Sequence, residues 1–211
     1  MLVTRSRHDI GNEYLYAYSE HIIQLANQRG WKIEKVENKD NVKNTLHSRL
    51  NKNRPDFVFF NGHGSDQTIF GYGNQPIIGE ADASLLKQTI VFARSCAALN
   101  ILGKTAIERG CKAFIGYGDN FIIPRTHEYH LQPLNDPVVK PVLEISNAVP
   151  EHLIKGASAE ESVHMTKEKA QKLLLKMLQS QEPYHAATFK AIYHNHISLN
   201  FCGDAEAKCV D

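Results

Sequence analysis

Phe57-Val58-Phe59-Phe60 and Ile90-Val91-Phe92-Ala93 are uninterrupted apolar runs of strand length, and they constrain the fold of this chain more than any other feature. A strand with one buried face alternates apolar and polar residues, whereas a strand covered on both faces does not. The first run is bounded by Pro55 and by Asn61-Gly62, and the second leads straight into Arg94-Ser95-Cys96. Both read as inner strands of a parallel sheet with helices on either side.

The flanking segments supply those helices. Glu13 to Arg29 puts Leu15, Tyr18, Ile22, Ile23 and Ala26 at helical spacing and closes on Gly30. Asn41 to Lys52 carries Val42, Leu46 and Leu50 on one face, Leu99 to Arg109 is helical with Gly110 as its stop, and Ser158 to Gln179 opens on a Ser158/Glu161 capping box. Leu2 to Thr4, Trp31 to Val36 and Ala113 to Ile115 read as further strands, and His196 to Cys202 as the last one. Gly71, Gly73, Pro76 and Gly79 mark a long loop, followed by a short helix over Asp82 to Gln88. Beyond Gly118, Pro124, Pro133, Pro137 and Pro141 mark loops and short helices outside the sheet. The expected fold class is α/β, with a mostly parallel sheet of about six strands flanked by helices and a single domain over residues 1–211.

Composition narrows the partners. A net charge of +1 leaves no excess with which to hold a polyphosphate, so neither nucleic acid nor a membrane surface is an expected partner. No apolar run approaches the ~18 residues of a membrane span. Leu2-Val3-Thr4 directly after Met1 reads as a strand rather than a leader, and four cysteines are too sparse for a disulfide scaffold. The expected location is cytoplasmic. Neither a Gly-x-Gly-x-x-Gly turn nor a Walker loop follows the first strand, and the His127/His130 and His194/His196 pairs lack a Cys-x-x-Cys or His-Glu-x-x-His context. No metal and no cofactor is expected.

Chemistry concentrates at two strand ends. The first inner strand delivers Asn61-Gly62-His63-Gly64, and the second delivers Arg94-Ser95-Cys96-Ala97. Loops converge at the carboxyl edge of a parallel sheet, so an imidazole and a thiol carried there can meet. A thiol is mostly protonated at neutral pH; an adjacent imidazole can take that proton and later return it to a leaving amine. Cys111 has no His-Gly partner and reads as a packed thiol.

An apolar strand with His-Gly at its end, followed some tens of residues later by an apolar strand ending in Cys, resembles the layout of the caspase-like (clan CD) cysteine peptidases. The sequence is most similar to the CHAT, gingipain and clostripain-like branches, since Arg94-Ser95 rather than Gln-Ala precedes Cys96. The resemblance implies a caspase-like three-layer sandwich and cysteine endopeptidase activity on protein or peptide substrates. It assigns the general base to His63, the nucleophile to Cys96 and an oxyanion hole to the Gly64 and Cys96 N–H groups. No third, orienting Asn or Asp is required by that pattern. A regulatory protein partner or a narrow substrate range would restrain such an enzyme, and the alternative is an inactive caspase-like binding or scaffold domain.

The specificity residues divide at this level, with the balance towards an acidic residue before the cleaved bond. Strand alternation aims Arg94 to the same side as Cys96, and the resemblance puts that position and the Arg5-Ser6-Arg7 loop beside the pocket for the residue before the cleaved bond. Arg5, Arg7 and Arg94 would favour an acidic residue there. Asp119 argues for a basic one, and an Arg94–Asp119 pair would leave a neutral pocket.

Overall fold

The computed structural model describes residues 1–124, 127–179 and 186–209. The chain runs from β1 (Leu2–Arg5) through α1 (Ile10–Gln28), β2 (Glu34–Glu37) and α2 (Lys43–Asn53) to β3 (Phe57–Asn61). A hairpin of β4 (Thr68–Phe70) and β5 (Pro76–Gly79) and a 3-10 segment at Glu80–Leu86 then precede β6 (Ile90–Arg94). After α3 (Lys104–Glu108) and β7 (Ala113–Tyr117) come α4 (Lys140–Ile154), α5 (Ala159–Gln179), α6 (Ala186–Ser198) and the final strand β8 (Leu199–Gly203).

Six strands form one sheet in the order β2-β1-β3-β6-β7-β8. Every pairing is parallel except β7 with β8. Both faces are covered, which is why β3 and β6 are apolar at successive positions. On one face Val58, Phe60, Val91 and Phe114 pack with Leu46 and Leu50 of α2, Ala106 of α3 and Ile69, Ile77 and Ile78 of the hairpin. On the other, Phe57, Phe59, Phe92 and Tyr117 pack with Ile22 and Ile23 of α1, Val149 and Leu153 of α4 and Val163 of α5. The rings of Phe57, Phe59, Phe92 and Tyr117 touch in series across three strands, Phe59 and Phe92 most closely at 5.3 Å between centroids. Such pairs contribute about 0.5–1.5 kcal/mol each beyond the area they bury, and here they favour one strand register.

The capping box holds: the Glu161 N–H donates to Ser158 Oγ at 3.3 Å, and the Ser158 N–H donates to Glu161 Oε2 at 2.8 Å. Other expectations do not hold: beyond Gly118, where Pro124 to Pro141 predicted only loops and short helices, α4 runs for 15 residues, because Pro141 falls in its first turn, where no backbone N–H is needed. The expected long loop contains the β4–β5 hairpin, whose strands of three and four residues are too short to show a period. The expected helix over Leu99–Arg109 opens with a wide turn at Leu99–Gly103 before α3. Residues 196–198, expected to begin the last strand, instead end α6, where Thr188, Ala191, Ile192 and Asn195 form the buried helical face. The alternation of Ile197, Leu199 and Phe201 was ambiguous because Ile197 is exposed on that helix and only Leu199 and Phe201 belong to β8.

Candidate active site

Register brings the two motifs together. In the β3–β6 ladder Asn61 is the partner of Arg94, and His63 and Cys96 each follow two residues later, so both leave the sheet at the same level of its carboxyl edge. They line one cavity of about 190 Å3 with Gly11, Leu15, Gly62, Ser95, Phe121 and Ile123. A larger groove of about 470 Å3 beside α1 and α4, lined by Tyr18, His21, Glu144 and Lys169 among others, contains neither residue.

Gly64 is needed for close approach. A Cβ at this position would sit 2.8 Å from both the Cys96 carbonyl oxygen and Ser95 Cβ, inside contact distance. The hairpin holds this stretch from the other side, through Phe70 N–H to the His63 carbonyl at 3.0 Å and Ser65 N–H to the Thr68 carbonyl at 2.8 Å. The Gly64 and Cys96 backbone N–H groups donate to no protein acceptor among the described residues. Beyond Cys96 the chain turns sharply: Ala97 has φ +54°, and its N–H donates to the Asp119 carbonyl at 3.0 Å. A left-handed alanine costs about 1–2 kcal/mol, and the turn it makes ends the strand and leaves Cys96 half-buried on the cavity.

Asp9 is the residue that sequence reasoning missed. It caps α1 by accepting from the Asn12 N–H at 2.9 Å, and its Oδ2 lies 2.8 Å from His63 Nε2. Burial pushes its carboxyl up, but hydrogen bonds from the Asn12 N–H and from His63 more than offset this and hold it below its ordinary value. A carboxylate accepting from Nε2–H fixes the neutral imidazole with its free lone pair on Nδ1. One signal was available: Asp is a preferred N-cap residue, and here it stands directly before Ile10.

The Cys96 thiol is displaced upward. Burial pushes it above its ordinary value of 9.0, a hydrogen bond from the Phe121 backbone opposes this, and the nearby Asp119 charge adds to the rise. The sulfur is therefore a neutral thiol at neutral pH. Alkylation by iodoacetamide is accordingly expected to climb with pH towards and beyond 9.0. A rate that already levels off near neutrality would show a preformed thiolate instead.

The expected specificity residues lie elsewhere. Arg94 is fully buried: its guanidinium donates to Asn61 Oδ1 at 2.9 Å, to Asn147 Oδ1 at 2.7 Å and to the Leu15 carbonyl at 3.2 Å, and it lies over the Phe59 ring. Burial pulls it down to about 9, still charged at neutral pH. Alternation fails here because the strand ends at Arg94, so Cys96 does not continue its pleat. Arg5 is also buried, paired with Glu37 at 2.6 Å and Glu20 at 2.8 Å. Arg7 lies over Tyr16, 3.6 Å from Glu13. Asp119 adjoins Cys96 through its backbone, but its exposed carboxylate faces His194 across a separate groove. Among the described residues, no carboxylate or guanidinium lines the cavity with Cys96. All four cysteines are free, and Cys111 is packed with its thiol against the Thr89 carbonyl. His194 is bound to the Asn120 carbonyl, while the His127 side chain lies outside the described residues.

Similarity to solved structures is strong in shape and weak in sequence. The Arg-specific cysteine proteinase gingipain R matches with a TM-score of 0.60 at 14% identity, over 98% of this chain and 46% of that one. The complex of Porphyromonas gingivalis RgpB pro- and mature domains matches at 0.59 and 14%, over 97% and 47%. A further structure, described as a protease, matches at 0.50 and 13%, over 98% and 48%. No family model and no curated protein matches the sequence. The chain spans about half the length of the structures it matches. On this likeness, and on a mostly parallel six-stranded sheet between two helical layers, the chain has the caspase-like fold of the clan CD cysteine peptidases.

Proposed function

We infer that the protein is a cysteine endopeptidase in which Cys96 attacks the peptide carbonyl and His63 handles the proton. The observation that carries this reading is that both side chains line one cavity, with two unengaged backbone N–H groups beside them. His63 Nδ1 takes the Cys96 proton as the sulfur adds to the carbonyl carbon. The Gly64 and Cys96 N–H groups hold the resulting oxyanion. The imidazolium, held by Asp9, then returns the proton to the departing amine as the C–N bond breaks. A water, deprotonated by His63, hydrolyses the thioester and restores the thiol.

The cavity gives a first view of substrate choice. Gingipain R is Arg-specific, and recognition of arginine calls for a carboxylate. Leu15, Phe121 and Ile123 line the cavity here, so the residue before the cleaved bond is apolar. A regulatory protein partner belongs to the same reading, since one matched structure pairs a mature domain with its pro-domain. No described helix is long and apolar enough to cross a membrane.

Profiling the purified protein and Cys96→Ala against a peptide library, with mass spectrometry of the products, tests this. Cleavage after Leu, Phe or Met by the wild type alone is the expected result. Cleavage only after Asp or only after Arg overturns the pocket assignment. A folded wild type that cleaves nothing, and whose Cys96 is not labelled by a peptidyl electrophile, is a binding domain rather than a peptidase.

A further inference from the structure

Two imidazoles converge on one carboxylate oxygen, and one of them, His63, lines the cavity with Cys96. His8 Nε2 lies 3.3 Å and His63 Nε2 2.8 Å from the same Asp9 Oδ2, and one donor atom from each of the three residues lies within 4.8 Å of the others. Borderline divalent cations bind imidazole nitrogen and carboxylate oxygen at about 2.0–2.2 Å. Ligands on one such ion stand roughly 3–3.5 Å from each other, so donor atoms that all lie within 4.8 Å of one another need only small side-chain rotations to surround it. His8 is held in place by packing: its side chain is 10% exposed and lies edge-on to Tyr72 with 5.5 Å between centroids; its Nε2 is 3.0 Å from Asn74 Oδ1, a hydrogen bond that ligation through this nitrogen would replace. The Arg7 guanidinium is drawn to Glu13 and Tyr16.

From this geometry we propose that His8, Asp9 and His63 bind a divalent cation of the zinc class, and that the bound ion switches the peptidase off. The proposal's inhibitory half rests on the peptidase reading above; its binding half does not. A metal on Nε2 takes the lone pair of that nitrogen, so the ring proton sits on Nδ1. That reverses the tautomer Asp9 imposes, leaving no free lone pair with which to accept the Cys96 proton. Asp9 is withdrawn from His63 at the same time. No redox step is involved, and a chelator that removes the ion restores the original tautomer. The sequence kept His8 and Asp9 apart from His63 by more than fifty residues, and only the β1–β3 pairing brings them together.

Binding is read first, without catalysis. Zinc affinity by competition with a chromophoric chelator, and cobalt(II) absorption spectra, are measured on wild type, Cys96→Ala, His8→Ala, His8→Gln and Asp9→Asn, each checked for folding by circular dichroism. The expected result is one ion per chain in wild type and Cys96→Ala, with no thiolate-to-cobalt charge-transfer band. Loss of a ligand should weaken binding on the order of 100-fold or more, at least as much as loss of an outer-shell partner. Equal affinity in wild type and a folded His8→Gln, or a charge-transfer band lost in Cys96→Ala, overturns the site. Inhibition is read second, as residual cleavage against free zinc, normalised to each variant's own rate; His8→Gln should shift the curve to about 100-fold higher zinc. A protein that cleaves peptides but neither binds nor responds to zinc overturns this proposal alone. One that binds zinc through these residues but never cleaves overturns the peptidase reading and leaves the site standing.

Discussion

Cys96→Ala is expected to lower peptide cleavage by roughly 10,000-fold or more, and His63→Ala by a comparable factor, because the proposed mechanism makes nucleophile and base act as one unit. Neither change should cost much stability. Cys96 is half-buried at the end of a strand, and His63 is 47% exposed, with Asp9 as its hydrogen-bonded partner. Cys111→Ala supplies the contrast. Its thiol is buried, bonded to the Thr89 carbonyl at 3.0 Å and pushed up to about 12 by that burial, so it is inert at neutral pH. Rates on a single fluorogenic peptide, with thermal melts of all three variants, are sufficient. A folded Cys111→Ala that loses cleavage as completely as Cys96→Ala would show that the reacting thiol is the other one.

Arg94→Ala should act on the fold and not on substrate choice. The guanidinium joins β6 to β3 through Asn61, to α4 through Asn147 and to α1 through the Leu15 carbonyl. Its amide partners are themselves engaged, Asn61 with the Thr4 carbonyl and Asn147 with the Tyr18 carbonyl. Removing the arginine leaves buried acceptors unpaired and a large void, with an expected cost on the order of 3–5 kcal/mol. For a chain of this length that is a fall in melting temperature of about 10 °C or more. Arg94→Glu should be worse, since it buries a carboxylate among acceptors. An Arg94→Ala protein that melts like wild type and cleaves a different set of peptides would return the guanidinium to the substrate pocket.

These two substitutions separate what local sequence encodes from what it does not. The inner strands were legible because burial on both faces removes alternation, and Phe57 to Phe60 and Ile90 to Ala93 each show that without any neighbour. The major helices α1, α2 and α5 were legible through periodicity, and α5 also through its cap. Residues carried at strand ends, such as His63 and Cys96, were legible as candidates for the same reason. Short elements such as β4 and β5 were not, because three or four residues hold too little pattern.

Side-chain destinations belonged to the tertiary structure. Arg94 and Cys96 are two residues apart, yet one enters the core and the other the cavity, because the strand ends between them and Ala97 turns the chain. Asp9 reaches His63 because β1 pairs with β3, a contact across more than fifty residues that no local window contains. By itself, the sequence determined which residue types stand at the edge of the sheet; the order of the strands decided which of them touch, because pairing register and not spacing along the chain sets the distance between groups on different strands.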